Sequence, residues 1–362
     1  MSGTIEGNSS RSSGSIAAKG SGITTSSGDP TISTNPSELG TMFVNTTSGE
    51  TYVCSDITEG ANVWQNIGDG TGNIQAFPQG ANYGYCMGGK ISSYINEIEK
   101  FAFSASANAT DVANLTVARQ DAGGSSSTTY GYMAGGTTGS NSDVIDKFQF
   151  SVDGDSSDVG NLTVARSSTC GQNSATHSYT SGGSGFSNVI DNVSFSSGGD
   201  AADVGNLTVA RGGASGVNSL TYGYTLGGEV SGAVSNVTDN FSFASGGDAA
   251  DVGDVTVGRT TGGEHSSTEN GYMSGGYTGS HQNVIDKHNF ATSGNATDVG
   301  DLTTSSSYSN GVSYLTHGYT FGGYTGSNID IIERFSFSSG TQNGADVGDL
   351  ATAKRLVAGS QY

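Results

Sequence analysis

The stretch Gly131-Tyr132-Met133-Ala134-Gly135-Gly136 decides the fold, because close variants of it occur six times along the chain. The paired glycines stand at 88/89, 135/136, 182/183, 227/228, 275/276 and 322/323, so that successive copies are 45 to 48 residues apart. Repeats of this length are typical of β-propellers, in which each repeat folds into one small sheet called a blade.

Each repeat contains the pattern of four short strands. In the second copy these are residues 130–136, 143–150, 158–166 and 167–175, separated by clusters of Gly, Ser, Asn and Asp. Phe148 and Phe150 alternate with polar residues, which is the two-residue period of a strand. A four-stranded blade must cover both of its faces with neighbouring blades. We therefore predict an all-β protein, with a six-bladed propeller over residues 81–362.

The two ends of the repeat region predict how the ring closes. The first copy begins at Tyr83 without the strand that precedes the tyrosine in the other copies. Residues 351–359 look like the opening strand of a seventh copy that does not continue. Pairing of this C-terminal strand with the first blade would remove both free sheet edges.

The N-terminal part has a different composition. Residues 1–28 are mostly Ser, Gly, Thr and Asn, which predicts a tail that is disordered, or that is extended along a partner. Residues 29–70 predict a small β unit with a hairpin over 41–54 and a further strand over 62–68. A unit of about 40 residues needs a partner surface for stability. Residues 71–80 are interpreted as the linker into the ring.

Charge and composition restrict the function. The formal net charge is −20, and the few basic residues cannot form the positive face that nucleic acid requires. Only three cysteines are present, so that no disulfide framework is predicted. We also find no apolar segment suited to a membrane span or a conventional secretion signal, and no pattern that predicts a cofactor or metal.

Charged residues recur at two positions of the repeat. Basic residues occupy the end of the outer strand, and acidic residues occupy the strand that follows the double glycine. We predict that they form structural ion pairs, because buried charges are rarely left unpaired; a ring of anion-binding arginines is the alternative. The residues are Arg119, Arg166, Arg211 and Arg259, with Ser306 and Lys354 at the same position, and Glu99, Asp146, Asp191, Asp239, Asp286 and Glu333.

A second polar pattern pairs Asp or Asn with Asp three residues later. It occurs at 108/111, 155/158, 200/203, 248/251, 295/298 and 343/346. The oxygens would suit calcium, but the loops lack the dense ligand run of a calcium site, and turn formation is the favoured interpretation. No set of nucleophile, base and orienting acid departs from the repeat consensus, so we predict no enzyme active site.

The loops after the double glycines differ most between repeats. Aromatic and hydrogen-bonding side chains in them suggest a surface that binds sugar or protein, although they would also suit an inert spacer. The candidate recognition residues are Tyr94, Phe186, Tyr277, His281, Tyr324 and Asn328. Tyr277 and Tyr324 occupy matching loops of adjacent repeats, so we expect their rings side by side.

Two resemblances add to this interpretation. Residues 35–70, NPSELGTMFVNTTSGETYVCSDITEGANVWQNIGDG, resemble a short module near the N-termini of fibre and appendage proteins of tailed bacteriophages, especially marine and cyanobacterial ones. The repeats resemble kelch propellers in the double glycine after an apolar strand and in the arginine that opens the next blade, but lack the kelch tryptophan.

The resemblances imply a structural virion protein, namely a fibre or appendage that is attached to the tail, the collar or the capsid. Residues 1–70 would bind other virion proteins, and the propeller would bind a glycan or protein on the host surface. Assembly would occur in the host cytoplasm. Whether several copies of the protein associate on one particle is left open. The alternatives are a cellular kelch-like interaction adaptor and, third, a propeller enzyme.

Overall fold

The computed structural model describes residues 23–31, 33–36, 38–58, 62–67, 80–338 and 340–362. Within these ranges all regular elements are β-strands, and there is no helix. The predicted all-β class is therefore confirmed. The chain divides into two compact units, residues 1–75 and residues 76–362.

The smaller unit is a four-stranded sheet with the order β1-β2-β3-β4. Its strands are β1 (Thr24–Ser26), β2 (Met42–Asn45), β3 (Thr51–Asp56) and β4 (Val63–Asn66). β2 and β3 form the predicted hairpin, and β4 is the predicted further strand. β1, which lies within the stretch 1–28, pairs parallel with β2. Residues 1–22 and 71–79 lie outside the described residues.

Over residues 80–338 and 340–362 the larger unit contains six four-stranded antiparallel sheets, here called sheets 1 to 6 in chain order. Sheet 1 consists of β5 (Tyr83–Met87), β6 (Glu97–Ala102), β7 (Thr110–Asn114) and the C-terminal strand β30 (Ala358–Gln361). Sheet 2 consists of β8 (Gly123–Ser126), β9 (Tyr130–Ala134), β10 (Val144–Gln149) and β11 (Ser157–Asn161). Sheet 3 consists of β12 (Cys170–Asn173), β13 (His177–Ser181), β14 (Val189–Ser194) and β15 (Ala202–Asn206).

The remaining sheets repeat this arrangement. Sheet 4 consists of β16 (Ser215–Asn218), β17 (Tyr222–Leu226), β20 (Val237–Ser242) and β21 (Ala250–Asp254), with a hairpin of β18 (Glu229–Val230) and β19 (Ala233–Val234) between its second and third strands. Sheet 5 consists of β22 (Gly263–Ser266), β23 (Asn270–Ser274), β24 (Gln282–Asn289) and β25 (Thr297–Ser306). Sheet 6 consists of β26 (Asn310–Ser313), β27 (His317–Phe321), β28 (Ile329–Ser336) and β29 (Ala345–Lys354).

The C-terminal strand completes sheet 1. β30 pairs antiparallel with β5, with Gly359 opposite Cys86 and Ser360 opposite Tyr85. This is the pairing that the incomplete seventh copy predicts. The predicted start of the strand at residue 351 is wrong, because residues 351–354 extend β29, in which Lys354 pairs with Ile329.

Neighbouring sheets pack through aromatic pairs. A tyrosine of the second strand of one sheet contacts the phenylalanine that directly follows the third strand of the next sheet, with ring centroids 4.7 to 5.1 Å apart. The last pair joins sheet 6 to sheet 1. The six pairs are Tyr85 with Phe150, Tyr132 with Phe195, Tyr179 with Phe243, Tyr224 with Phe290, Tyr272 with Phe337 and Tyr319 with Phe103.

The first strands of the sheets are also linked in a cycle. β8, β12, β16, β22, β26 and β30 each lie against the next, and β30 lies against β8. Just before these strands, six residues each donate a backbone N–H to the carbonyl of the equivalent residue one sheet earlier, at 2.7 to 2.9 Å. This backbone cycle consists of Asp121, Ser168, Gly213, Thr261, Tyr308 and Leu356.

Candidate recognition site

The double glycines set the geometry of the loops that carry the candidate residues. Gly135 and Gly136 have φ of +75° and +98°, a left-handed region that side chains disfavour. A Cβ on Gly135 would lie only 2.6 Å from the carbonyl oxygen of Arg166. Both glycines are therefore needed where the second strand ends, and the same conformation at all six copies directs the six loops to the same end of the sheets.

Tyr277 and Tyr324 lie in neighbouring loops with His281 between them. The His281 ring centroid is 5.6 Å from that of Tyr277 and 5.8 Å from that of Tyr324. All three side chains are half-buried. His281 is fixed by a 2.9 Å hydrogen bond between its Nδ1 and the Ser307 hydroxyl. The two tyrosines thus lie in one row, but the histidine separates their rings.

Sequence reasoning missed two further members of this row. The guanidinium carbon of Arg355 lies 4.3 Å from the centroid of the Tyr324 ring, in cation–π geometry, and the Tyr308 ring lies 6.5 Å from that of Tyr324. Arg355 could have been found, because no other repeat has a basic residue directly after the arginine position. We call Tyr277, His281, Tyr308, Tyr324 and Arg355 the aromatic cluster.

The other three predicted recognition residues lie outside this cluster. Tyr94 is half-buried with the Lys90 ammonium 5.4 Å from its ring centroid. Asn328 pairs with Tyr324 across its loop, so it lies beside this tyrosine as predicted, and it also donates its amide to the Lys90 carbonyl at 3.0 Å, which joins the loop of sheet 6 to that of sheet 1. Phe186 is 41% exposed and lines a cavity with Tyr308.

The recurring charges form buried ion pairs inside single sheets. In four sheets the arginine before the first strand reaches the aspartate of the third strand. The pairs are Arg119 with Asp146 at 2.7 Å, Arg166 with Asp191 at 2.9 Å, Arg211 with Asp239 at 3.1 Å and Arg259 with Asp286 at 2.8 Å. Each aspartate follows a register shift between the third and fourth strands, and such bulges re-aim side chains.

The two remaining sheets vary this arrangement. Lys354, the last residue of β29 in sheet 6, takes the place of the arginine before sheet 1 and reaches both Glu99, at 2.5 Å, and Glu97, at 3.1 Å, in sheet 1. Ser306, the last residue of β25 in sheet 5, takes the place of the basic residue before sheet 6, and Glu333 forms no ion pair among the described residues. Glu333 instead accepts hydrogen bonds from the backbone and hydroxyl of Thr303.

The paired Asp and Asn residues connect sheets as well as forming turns. The first member of each pair accepts a hydrogen bond from the backbone of the preceding sheet, as Asp155 does from the N–H of Asn114 at 2.8 Å. In five of the six pairs the second member accepts a hydrogen bond from the N–H two residues later, as Asp158 does from Gly160. The prediction of purely local turns is therefore incomplete. In the part of the chain that the structure describes, no group of three or more His, Cys, Asp or Glu could hold a metal ion.

Within the same described residues, no helix is long and apolar enough to cross a membrane. Comparison with known protein families and with curated proteins finds no match to this chain.

Proposed function

We propose that sheets 1 to 6 are the blades of a six-bladed propeller. Three independent cycles support this arrangement: the tyrosine–phenylalanine pairs, the neighbouring first strands and the backbone cycle. Each cycle returns from sheet 6 to sheet 1. A row of sheets without closure would leave one such contact unmade at each end.

We further propose that the protein is a structural component of a virion, attached through residues 1–70 and displaying the propeller. The resemblance of residues 35–70 to phage appendage modules supports the first part. The small unit also exposes several large apolar side chains, which suits a surface that another protein covers. These are Ile23, Leu39, Ile57, Val63 and Ile67, between 43% and 58% exposed.

The recognition surface in this proposal is the aromatic cluster, and its geometry carries the functional conclusion. The Tyr277 ring and the face of the Tyr324 ring that Arg355 does not cover offer apolar surface on which sugar rings stack, while Arg355 supplies hydrogen-bond donors. Binding of this kind is weak at one site: a Kd of about 1 mM corresponds to roughly 4 kcal/mol. Several copies on one particle would raise the avidity.

The double variant Tyr277→Ala, Tyr324→Ala tests the recognition step. We expect adsorption of particles to host cells to fall while the protein stays folded, because both side chains are only half-buried. The matched control is the double variant Tyr83→Ala, Tyr222→Ala. These two tyrosines are 37% and 40% exposed, and each begins its strand, at the end opposite to the double glycine and its loop. Unchanged adsorption with the first variant would overturn the recognition role.

An antibody against the chain tests the location. Labelling of intact particles in micrographs is expected, and its loss is expected when residues 1–70 are deleted. Labelling that persists without residues 1–70 would contradict the attachment role. Absence of the chain from particles would favour the cellular adaptor.

A further inference from the structure

A second possible ligand site lies beside the aromatic cluster. A cavity of about 310 Å³ is lined by the backbone cycle and by two of the loops. This volume suits one small organic molecule and is much larger than a metal ion needs. The side chains that line it include Asp121, Ser168, Thr261, Tyr308, Phe186 and Glu229.

A smaller chamber of about 40 Å³ shares part of this lining and extends toward the first strands. It is lined by Asp121 and Tyr308 together with Ser309 and Glu264. The hydroxyl of Ser309 is buried and has no hydrogen-bond partner among the described residues. A buried hydroxyl without a partner is costly, so a ligand or water that reaches this chamber would gain a hydrogen bond.

Several residues that line the cavity and the smaller chamber depart from the repeat consensus. Glu264 occupies the second position of its first strand, where the other five sheets all have glycine, at Gly124, Gly171, Gly216, Gly311 and Gly359. The six positions of the backbone cycle hold six different residues, and all have φ between +53° and +64°. Five of them are not glycine, although this conformation costs of order 1 kcal/mol or more for a residue with a side chain. The repeat thus tolerates strain at positions that present side chains to the cavity.

The charged side chains that line the cavity are all acidic. Asp121 forms no ion pair among the described residues; its carboxylate accepts a hydrogen bond of 2.6 Å from the Ser168 hydroxyl. Burial raises the pKa of Asp121 above its ordinary value, the direction expected when a carboxylate lacks a compensating charge. Glu229 adds a second, exposed carboxylate, and no basic side chain is part of the lining.

We propose that this cavity binds a small organic cation that also carries hydroxyl groups, of the class of amino sugars. The ammonium group would pair with Asp121 and Glu229, and the ring would contact Phe186 and Tyr308. The hydroxyl groups would reach Ser168 and Thr261. The site shares Tyr308 with the aromatic cluster, but Tyr277 and Tyr324 are not part of its lining, and the proposal does not depend on the virion assignment.

Calorimetry on the full-length protein at neutral pH tests the proposal with three ligands. Glucosamine is expected to bind, whereas glucose and N-acetylglucosamine, which lack the positive charge, are expected to bind at least about tenfold more weakly, because a charge-assisted hydrogen bond is lost. Equal affinity for all three sugars, or no binding of glucosamine, would overturn the proposal.

Variants locate the binding. Asp121→Asn keeps a residue that tolerates positive φ and should weaken glucosamine binding about tenfold, as should the exposed substitution Glu229→Gln. Glu269→Gln removes an exposed carboxylate in the turn between β22 and β23 and should have no effect. Tyr277→Ala with Tyr324→Ala should also leave binding intact. Binding that survives Asp121→Asn and Glu229→Gln, or that is lost with the tyrosines, would place the ligand elsewhere.

Discussion

The arginine and aspartate that recur in the repeats illustrate what single side chains contribute. Arg166 is 1% exposed, and its guanidinium binds Asp191 and the carbonyl of Thr180. Asp191 also accepts hydrogen bonds from the backbone and hydroxyl of Thr163. The pair therefore connects the segment before the first strand to the second and third strands of the same sheet. We interpret its function as structural, because the four arginines of these pairs are buried and already bound to aspartates.

Arg166→Ala should lower the free energy of unfolding by about 3–5 kcal/mol, because it leaves Asp191 buried without its counter-charge. Denaturant titration measures the change. Arg334→Ala is the matched control, since Arg334 is half-buried and forms no ion pair among the described residues. An equal, small loss in both variants would contradict the structural role of the pair.

Glu264 should make stability depend on pH. Burial is the main reason that its pKa rises from 4.5 to about 8, although the Gly216 N–H donates to its carboxylate. Between these values the folded state retains a proton that the unfolded chain has lost, so stability falls as pH rises through this window. Glu264→Gln cannot titrate. Its free energy of unfolding relative to the parent protein should therefore increase between about pH 5 and about pH 9.

The comparison at two pH values isolates Glu264. The neighbouring His265 has a pKa lowered to about 4, mainly by burial, and destabilises the folded state as pH falls below its ordinary value of 6.5. It is present in both proteins, so its contribution cancels in the difference. A difference between variant and parent that is independent of pH would show that folding does not raise the pKa of Glu264.

How far single residues can be predicted depends on whether the repeat constrains them. The ion-pair positions could be predicted because four or more copies agree. Asn328 could not, because its contact with Lys90 joins the last sheet to the first and has no local signal. The sequence shows Glu264 and Arg355 as departures from the repeat consensus. It does not show which side chains surround them, because the fold brings those neighbours together.

The strand that closes sheet 1 is the element on which the larger unit depends most. β30 comes from the C-terminus, and it contacts β5 within the sheet as well as β8 and β26 of the neighbouring sheets. The Tyr362 ring stacks on Phe150 with centroids 5.2 Å apart. Removal of this one strand would therefore expose the edge of β5 and the sides of two other first strands.

Truncation after Val357 should lower the thermal midpoint sharply and promote aggregation through the exposed edges. Deletion of residues 231–233 is the control, because it shortens the exposed β18–β19 hairpin without removing a strand of sheets 1 to 6. Scanning calorimetry and light scattering measure both effects. A truncated protein that melts like the control would contradict the role of β30.

Strands such as β9 and β10 could be predicted because their apolar residues follow the strand period and clusters of turn-forming residues bound them. The β18–β19 hairpin was not, since its strands of two residues are too short to show the two-residue period and pair only with each other. The extension of β29 through residues 351–354 was also missed. That segment pairs with β28 across a register shift, a tertiary contact that overrides the repeat pattern used to place the boundary.

For the whole larger unit, equivalent contacts repeat between every pair of neighbouring sheets. This arrangement explains why the chain is rich in glycine. The first strands of neighbouring sheets approach so closely that a Cβ on Gly171 would lie 1.9 Å from the Gly124 carbonyl oxygen. Tyrosine and phenylalanine then supply the buried area between sheets. A formal net charge of −20 makes copies of the chain repel one another, which suits the display of many copies on a particle that we propose.

A disulfide across the junction of the two chain ends tests the closed ring most directly. The hydroxyls of Ser126 in β8 and Ser360 in β30 lie 2.9 Å apart, and the native Cys54, Cys86 and Cys170 are buried. On oxidation, Ser126→Cys with Ser360→Cys should form an intramolecular disulfide as completely as the control pair Ser125→Cys with Ser178→Cys, whose hydroxyls lie 2.6 Å apart in neighbouring sheets away from the junction. Peptide mass spectrometry identifies the bonds. Formation of the control disulfide without the 126–360 disulfide would contradict closure of the ring.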